Sequence, residues 1–524
     1  MRDIDHLIFF GDSLSDQTNM HDLTRRTAIV TLPSQTMGYG AAFSNGPVQS
    51  GVTAGVLGVT LANYAVGGAK AVGSLTLEGY LTPRLGGQVP DLDIFLPDAD
   101  PADLAADISL GGQIGRFLAD AAAKPVAAGT ATAFLIGLND YSEWRPTSPE
   151  TAQAEAAALI QAVLGATIQA AAGAVAAGVE TVVLYTMPNV DFFPYAGLQT
   201  PQTVALGNQM IAAHNAGLAQ GAAALEALGA EVETVDLNRI STEVKADAET
   251  FGLRGDLFGA PVLLATGGNP RLVEQPDGSW IGVFPPNPAT AGVDPDQLAF
   301  WDLVHPTAAL HGVWGAFSAT SLSAKTFFLG AGDDDLRGTR GADLVLAGAG
   351  DDRVATGGGA DAILGGLGND RLAAGSGADI LAGGAGDDLL RGGCGADVLA
   401  GGAGRDQLFG GSGADLLVAG PGCDLLAGGA GDDAFLLAEG RPGGPASGMM
   451  IGGGGEDTLY LLVSDAVRAA VEAEWRPGAA RQHLDALGLR TAGVEHVVFL
   501  DPATGVEGID TPARIDEAAL WGFV

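Results

Sequence analysis

A nine-residue repeat in the second half of the chain constrains its fold more than any other feature. From Leu329 to Leu436 the sequence divides without a gap into twelve nonapeptides that approximate Gly-Gly-x-Gly-x-Asp-x-apolar-x. The sixth residue is Asp in every copy, and the eighth is always apolar. Glycine supplies turn conformations that other residues rarely adopt, and the other positions suit a short strand with one inward side chain. Each nonapeptide therefore predicts one turn and one strand.

The fifth position of the repeat indicates that two nonapeptides form one coil. Odd copies carry a polar residue there (Asp333, Asp351, Asn369, Asp387), whereas even copies carry alanine (Ala342, Ala360, Ala378, Ala396, Ala414). The alternation breaks near the C-terminal end, at Arg405, Cys423 and Asp432. We therefore expect an eighteen-residue coil whose two edges differ in charge.

This nonapeptide resembles the calcium-binding repeat of the RTX family. The resemblance implies a parallel β-roll in which Ca²⁺ lies between turns of one edge, held by carboxylates and turn carbonyls, as a hard cation requires. The alternative, a flexible Gly-rich linker, needs neither periodic Asp nor periodic Leu. Under the resemblance, the calcium ligands are the sixth-position residues Asp334, Asp343, Asp352, Asp361, Asp370, Asp379, Asp388, Asp397, Asp406, Asp415, Asp424 and Asp433.

The two cysteines of the chain both lie inside the repeats. Cys394 belongs to the eighth copy and Cys423 to the eleventh. Odd and even copies turn at opposite edges of the roll, so we predict no disulfide between them.

The charge of the chain excludes several classes of partner. The net charge is −37, with only 25 Lys and Arg residues, so no basic surface for nucleic acid or an anionic membrane is expected. The longest uncharged segment, 156–179, is long enough to cross a bilayer but is dominated by Ala and Gly. We predict that it is a buried helix and that the chain has no transmembrane segment.

The termini suggest a route of export. Residues 1–6 are charged and carry no secretory signal. In RTX proteins an uncleaved C-terminal segment is read by type I secretion machinery, so the resemblance implies a secreted protein, extracellular or associated with the cell surface. Crowded Asp residues would keep the roll unfolded until it meets calcium outside the cell.

The length of the chain predicts more than one domain. We place a catalytic domain at 1–325, the β-roll at 326–460 and a C-terminal region with the secretion signal at 461–524. The first of these alternates short apolar strands with long Ala-rich helical segments, which is typical of a three-layer αβα sandwich with a mainly parallel sheet. The predicted strands are 6–10, 133–136, 181–185 and 231–236.

The first predicted strand ends at a candidate nucleophile. The apolar residues 6–10 are followed by Gly11-Asp12-Ser13-Leu14, which places Ser13 at the carboxyl end of a strand, where open α/β folds locate their active sites. A serine that merely caps a turn is the alternative. A serine hydroxyl needs a base, and His305 follows Asp302 by three residues, close enough for the carboxylate to orient the imidazole.

An early Ser and a late Asp-x-x-His resemble the GDSL or SGNH serine hydrolases. Two further blocks match in the family's order, at residues 63–69 (Asn-Tyr-Ala-Val-Gly-Gly-Ala) and 137–140 (Gly-Leu-Asn-Asp). The resemblance implies an oxyanion hole formed by the backbone of Ser13, the backbone of Gly68, with Gly67 as the alternative, and the side chain of Asn139. The stretch 44–48 (Ser-Asn-Gly-Pro-Val) is similar to the subgroup that contains bacterial extracellular lipases, phospholipases and acyltransferases.

The two resemblances together imply a secreted serine esterase or lipase that acts on carboxylic esters of lipids. Ser13 would form the acyl-enzyme, His305 would act as base and Asp302 would orient it, with no cofactor for catalysis and Ca²⁺ as a structural ion. Two alternatives remain: an acyltransferase that uses the same triad, and a calcium-binding surface or matrix protein whose hydrolase-like domain only binds a ligand.

Overall fold

The computed structural model describes residues 4–16, 19, 47–66, 69–76, 105–262, 271–274, 280–283, 287–291, 293–300, 302–438, 447–477 and 479–500. The chain divides into two compact units. The first, here the N-terminal unit, comprises Met1–Thr242 and Asp256–Leu322, and the second, the repeat unit, comprises Glu243–Gly255 and Ser323–Val524.

A parallel five-stranded sheet forms the centre of the N-terminal unit. Its strands have the order β2-β1-β3-β4-β5 and are β1 (His6–Gly11), β2 (Thr60–Asn63), β3 (Thr130–Leu135), β4 (Thr181–Tyr185) and β5 (Glu231–Val235). Strands β3 and β4 are buried at every position, as expected for parallel strands covered on both faces. The sequence predicted all of them except β2, a four-residue edge strand with an alternately exposed pattern.

The described residues between Gln49 and Ser323 form seven α-helices. They are α1 (Gln49–Leu57), α2 (Leu110–Ala123), α3 (Leu138–Glu143), α4 (Ala152–Ala176), α5 (Pro201–Glu226), α6 (Leu237–Ala246) and α7 (Ala308–Ser323). Helix α2 packs against β1, α4 against β3 and β4, and α5 against β5. This arrangement confirms the predicted α/β sandwich.

Helix α4 covers most of the apolar segment noted in the sequence. Among the described residues it is the helix that is long and apolar enough to cross a membrane, a test that the core helix of a soluble protein also passes. It contacts two strands of the sheet as well as α2 and α5, and Val163, Ala171 and Ala174 on it are fully buried. One face of α4 therefore lies in the core, and the prediction of a buried helix holds for that face only.

The described part of residues 252–297 carries little regular structure, in line with the Gly and Pro content of this stretch. That part includes a short antiparallel hairpin of β6 (Arg271–Glu274) and β7 (Trp280–Val283) and several single-turn 3₁₀ helices.

The repeat unit forms two nine-stranded sheets, parallel throughout except for the antiparallel pair of β23 and β24, which confirms the β-roll. One sheet contains β8 (Lys325–Phe328), β10 (Asp343–Ala349), β12 (Ala362–Leu367), β14 (Ile380–Ala385), β16 (Val398–Ala403), β18 (Leu416–Val418), β20 (Ala434–Ala438), β22 (Thr458–Leu462) and β25 (His496–Phe499). The other contains β9 (Asp335–Arg337), β11 (Arg353–Gly358), β13 (Arg371–Ser376), β15 (Leu389–Cys394), β17 (Gln407–Ser412), β19 (Cys423–Ala430), β21 (Ser447–Gly454), β24 (Leu489–Ala492) and β23 (Arg481–Leu484). We call them the even sheet and the odd sheet, after the copies whose eighth residues they carry.

Within the twelve repeats, neighbouring strands of each sheet pair in a register of eighteen residues. Ile363 lies opposite Leu381, which lies opposite Leu399, and all three are buried in one apolar core. The turns require glycine: Gly384 has a φ of 105°, and a Cβ there would lie 2.1 Å from the carbonyl oxygen of Gly366.

The roll continues past the twelve repeats. A separate glycine-rich unit after a spacer forms β21 and β22, which pair with β19 and β20. Strands β24 and β25 add to the two sheets, and helix α8 (Asp465–Glu474) precedes them. The even sheet therefore ends at Phe499, and the last strand in sequence of the odd sheet ends at Ala492. Both of these final strands lie in segments without the repeat. Residues 501–524, where the sequence predicts a secretion signal, lie outside the described part.

Both cysteines are exposed and in the thiol form. Cys394 ends β15 and Cys423 begins β19, so in these parallel strands they lie at opposite edges of the roll. This agrees with the prediction of no disulfide.

Candidate active site

Ser13 lies in a tight turn directly after β1. Gly11, the last residue of that strand, approaches β3 so closely that a Cβ would lie 2.5 Å from the carbonyl oxygen of Leu135. The carbonyl of Asp12 then accepts the N–H groups of Ser15 (3.1 Å) and Asp16 (3.0 Å), which closes the turn. The chain therefore leaves the sheet abruptly and presents Ser13 at its carboxyl edge.

The structure brings Ser13, His305 and Asp302 together over almost 300 residues of sequence. The distance from Ser13 Oγ to His305 Nε2 is 3.0 Å, and that from His305 Nδ1 to Asp302 Oδ2 is 2.7 Å. The second carboxylate oxygen, Oδ1, accepts the backbone N–H groups of Val304 and His305, both at 2.8 Å. With Asp302 fully buried, its carboxylate is fixed before any substrate arrives.

Burial controls two ionisable side chains beside this triad. Desolvation raises the pKa of Asp12 to about 7, against the opposing effects of the Leu14 N–H and of His305. Desolvation also lowers the pKa of His311 to about 3, so this second histidine is neutral at physiological pH. Its Nδ1 accepts the N–H of Gln49 at 3.2 Å, which occupies the acceptor that a base would use.

Asn139, a predicted oxyanion donor, lies on α3. Gly137 precedes that helix with a φ of 123°, and a Cβ there would lie 2.8 Å from Val163 Cγ1. Asn139 Nδ2 donates to the carbonyl of Ala69 at 3.0 Å. A primary amide has a second N–H, which leaves one hydrogen for a substrate.

The next residue, Asp140, holds the same segment from its other side. Its carboxylate accepts the N–H groups of Ala71 (2.8 Å) and Val72 (3.2 Å). Helix α3 is thereby bonded to the backbone that directly follows the predicted oxyanion block at residues 63–69. The predicted backbone donor Gly68, its alternative Gly67 and residues 44–46 lie outside the described residues.

Three polar residues around the turn have no role in the predictions from sequence. Asn19 Nδ2 donates to the carbonyls of Asn63 and Ala65, and Asn63 Nδ2 donates to the carbonyl of Ser15. Gln113, on α2, bonds to the backbone of Gly11. A signal for Gln113 exists, because it is the polar member of the buried face formed by Leu110, Gln113 and Phe117.

The Asp residues of the repeats form a ladder along each edge of the roll. From Asp334 to Asp415, the backbone N–H of each repeat Asp donates to Oδ1 of the Asp one coil later, at 2.7–3.0 Å. One ladder continues through Asp433 to Asp457, whose own N–H donates to Glu495 Oε2 at 2.9 Å. A glutamate from the C-terminal segment thus takes the place of the next Asp.

Within the ranges that the structure describes, the second carboxylate oxygen, Oδ2, has a hydrogen-bond partner at the start of the ladders but not in most of the later Asp residues. At the start, Asp334 Oδ2 accepts the N–H of Gly330 and Asp343 Oδ2 accepts that of Thr339. Farther along, Oδ2 is buried and has no hydrogen-bond partner among the described residues in Asp352, Asp370, Asp388, Asp397, Asp406, Asp415, Asp424 and Asp433.

These orphaned oxygens fit a hard divalent cation. Desolvation, together with neighbouring Asp charges, raises the pKa of Asp388 to about 8 and that of Asp406 to about 7, so the calcium-free ladder disfavours ionisation. A bound cation removes that penalty. Within the described ranges no three His, Cys, Asp or Glu side chains converge on one point. Each cation would therefore take its remaining ligands from backbone carbonyls, as Ca²⁺ readily does.

Comparisons with known proteins agree with both halves of the molecule. The family model of the GDSL-like lipases and acylhydrolases matches residues 7–316, and that of the RTX calcium-binding nonapeptide repeat matches 328–363, 364–399, 392–426 and 409–441. A phosphatidylcholine-sterol acyltransferase of Aeromonas hydrophila is 25% identical over 352 residues, which cover 62% of this chain and 91% of that protein. The first match spans more than half of the chain, and it contains the turn, the helix and the loop that carry Ser13, Asn139 and His305. The chain therefore belongs to the GDSL-like lipase/acylhydrolase family and carries RTX calcium-binding repeats.

Proposed function

We propose that this protein is a secreted serine esterase or lipase that hydrolyses carboxylic esters of lipids through an acyl-enzyme on Ser13. The observation that carries the proposal is the unbroken hydrogen-bond chain from Ser13 through His305 to Asp302. Membership of the GDSL family supports action on esters, and the RTX repeats, which are typical of secreted proteins, support calcium binding outside the cell.

The geometry supports acyl transfer in two steps. Ser13 Oγ attacks the ester carbonyl while neutral His305 accepts its proton at Nε2, and the tetrahedral intermediate expels the alcohol, which takes that proton. His305 then takes a proton from water as the water attacks the acyl-enzyme. The second tetrahedral intermediate releases the acid, and His305 returns the proton to Ser13 Oγ. Asp302 accepts the Nδ1–H throughout, which holds the tautomer that leaves Nε2 free as a base.

The negative charge of each tetrahedral intermediate needs donors. We assign them to the backbone N–H groups of Ser13 and Gly68 and to the side-chain amide of Asn139. Such donors act strongly because they are fixed before the charge develops.

The repeats would hold structural calcium through the Oδ2 atoms that have no hydrogen-bond partner in the described part of the chain. Bound Ca²⁺ supplies positive charge that offsets repulsion between successive carboxylates of the ladder. We infer from the RTX repeats that the chain leaves the cell through type I secretion machinery and folds its roll on meeting calcium.

Transfer to an alcohol instead of water is the second candidate. It is favoured by the similarity to the Aeromonas hydrophila protein, which is a phosphatidylcholine-sterol acyltransferase. The same triad serves both outcomes, since only the nucleophile of the second step differs.

The decisive experiment compares the full, calcium-loaded chain with Ser13→Ala in an assay with p-nitrophenyl butyrate. We expect release of p-nitrophenol by the wild type and at least a 10³-fold lower rate in the variant, roughly the contribution of an intact triad. Equal rates would exclude Ser13 as nucleophile and leave a calcium-binding surface protein. Adding an alcohol such as cholesterol to phospholipid substrate and measuring ester product against free fatty acid then separates transfer from hydrolysis.

A further inference from the structure

A buried glutamine outside every sequence motif pairs with the backbone two residues before Ser13. Gln113 lies on the first turn of α2 and is 0% exposed. Its Oε1 accepts the N–H of Gly11 at 2.9 Å, and its Nε2 donates to the carbonyl of Gly11 at 2.8 Å and to that of Ile108 at 3.3 Å. One side chain thus satisfies both polar groups of the residue that ends β1.

The bonds to Gly11 fix the peptides that lead to the nucleophile. The carbonyl of Gly11 also accepts the N–H of Val66 at 3.1 Å, in the segment that leads to the predicted oxyanion donor. The following carbonyl, that of Asp12, is held by the turn described above. That carbonyl belongs to the peptide between Asp12 and Ser13, which also contains the N–H of Ser13. Two consecutive peptides are therefore fixed: Gly11–Asp12 by Gln113, and Asp12–Ser13 by the turn.

Packing alone does not call for an amide at this position. Leu110 and Phe117 occupy the same buried face of α2, and an apolar residue would fill the space between them. A buried amide destabilises a fold unless it is hydrogen-bonded, and here its two opposed bonds both end on Gly11.

We infer that Gln113 is a positioning residue for the reaction, an inference that rests on the proposed function. It holds the peptide between Gly11 and Asp12, which leads to Ser13, and the carbonyl of that peptide also accepts the N–H of Val66. Gln113 would thereby keep the turn of Ser13 in the position that the reaction requires. Small displacements of such groups cost rate rather than binding, because the transition state depends on them most.

The first test replaces Gln113 by Met, which has a similar volume and makes neither hydrogen bond. We expect a kcat about 10- to 100-fold lower with KM nearly unchanged. Gln161→Met is the matched control, since Gln161 is exposed on α4, and it should leave both constants at the wild-type values. Thermal unfolding of each calcium-loaded variant shows that the protein remains folded at the assay temperature. A wild-type kcat in folded Gln113→Met would overturn the inference.

The second test uses Gln113→Glu, in which the hydrogen-bonding ability depends on pH. A protonated carboxyl can accept from the N–H of Gly11 and donate to its carbonyl as the amide does, whereas the ionised form cannot donate. Burial raises the pKa of a carboxyl, so protonation persists toward neutral pH. Asp12, Asp140 and His305 are ionisable groups near this site in both proteins, so the ratio of variant to wild-type kcat isolates the effect of the new carboxyl group.

We expect that ratio to fall at least tenfold as the pH rises from 6 to 9. A ratio independent of pH would contradict the inference, because a role in packing alone would lower the rate equally at each pH.

A third measurement separates failure of this inference from failure of the proposed function. Amide hydrogen exchange of the peptide that covers residues 7–16 reports the backbone of Gly11 without any substrate. Faster exchange in Gln113→Met than in Gln161→Met supports the positioning of this backbone by Gln113 even if the wild type shows no Ser13-dependent turnover, a result that would remove only the proposed function. Unchanged exchange overturns the inference whatever the activity.

Discussion

The carboxylate of Asp302 uses both of its oxygens before a substrate binds. One accepts from the His305 ring, and the other accepts two backbone N–H groups of the same loop. The loop and the ring are therefore fixed by one buried side chain. Replacing that side chain changes the tautomer of the base more than the shape of the loop.

We predict that Asp302→Asn lowers kcat by roughly 10⁴-fold with little change in KM, because the amide can donate to Nδ1 and so favour the wrong tautomer. Ester turnover over a range of substrate concentrations measures both constants. The exposed Asp335 of β9 offers a control, since Asp335→Asn should be silent. A loss confined to KM would show that Asp302 contributes to binding instead.

We predict that Asn139→Ala lowers kcat about 10²- to 10³-fold, the usual result of removing one oxyanion donor. The melting temperature should change little, because within the described part of the chain the amide donates one hydrogen bond, to the carbonyl of Ala69. Kinetics and thermal unfolding of the same preparation check both statements. Unchanged turnover would remove Asn139 from the oxyanion hole.

At the scale of elements, the ladders of the roll give the calcium-free protein a distinctive response to pH. The pKa is raised to about 7 in Asp397, Asp415 and Asp433, and to about 8 in Asp388, by burial and then by neighbouring carboxylates. In the unfolded chain these groups have a pKa near 3.8. The folded state therefore binds more protons between these two limits, so its stability rises as the pH falls through that window.

We accordingly predict that, in excess chelator, the repeat unit withstands more urea at pH 5 than at pH 8. Circular dichroism of the β-signal against urea concentration measures the midpoint at each pH. With excess calcium the order should reverse, since cation binding requires ionised carboxylates. Equal midpoints in chelator at the two pH values would contradict the assignment of the ladder as protonated.

At the scale of the whole molecule, the two sheets of the roll are not interchangeable. The two sheets differ at the seventh residue of the nonapeptide. In the even sheet this residue is apolar and fully buried, as in Leu344, Ile380 and Val398. In the odd sheet it includes the exposed Arg353 and Arg371. Any change in length must keep odd and even copies on their own sheets.

We predict that deleting the eighteen residues 365–382 shortens the roll by one coil and leaves a soluble protein with calcium-dependent folding. Deleting only 365–373 moves every later copy to the opposite sheet and exposes the apolar positions, so we expect aggregation or a melting temperature at least 10 °C lower. Size-exclusion chromatography and thermal unfolding in calcium distinguish the two deletions. Similar behaviour of both would show that the two faces are equivalent.

How much of this molecule the sequence predicts depends on how local each signal is. The roll and its register follow from a period that every copy repeats, and the strands leading to Ser13 and Asn139 are apolar runs that end in recognisable blocks. Gln113 escaped prediction because its partner is the backbone of Gly11, 102 residues away, and a backbone group has no sequence signature. Glu495 escaped because it continues the ladder from a segment without the repeat, with a longer side chain in place of Asp.

In each ladder, an Asp backbone N–H of one coil donates to a carboxylate oxygen of the coil after it. The last such N–H of one ladder, that of Asp457, donates to Glu495. A coil by itself therefore lacks an acceptor, and adjacent coils stabilise one another in the manner of a one-dimensional cooperative chain. Such a chain responds to its ligand as a threshold device. A small rise in calcium concentration would therefore convert the roll from largely unformed to largely complete over a narrow range of concentration.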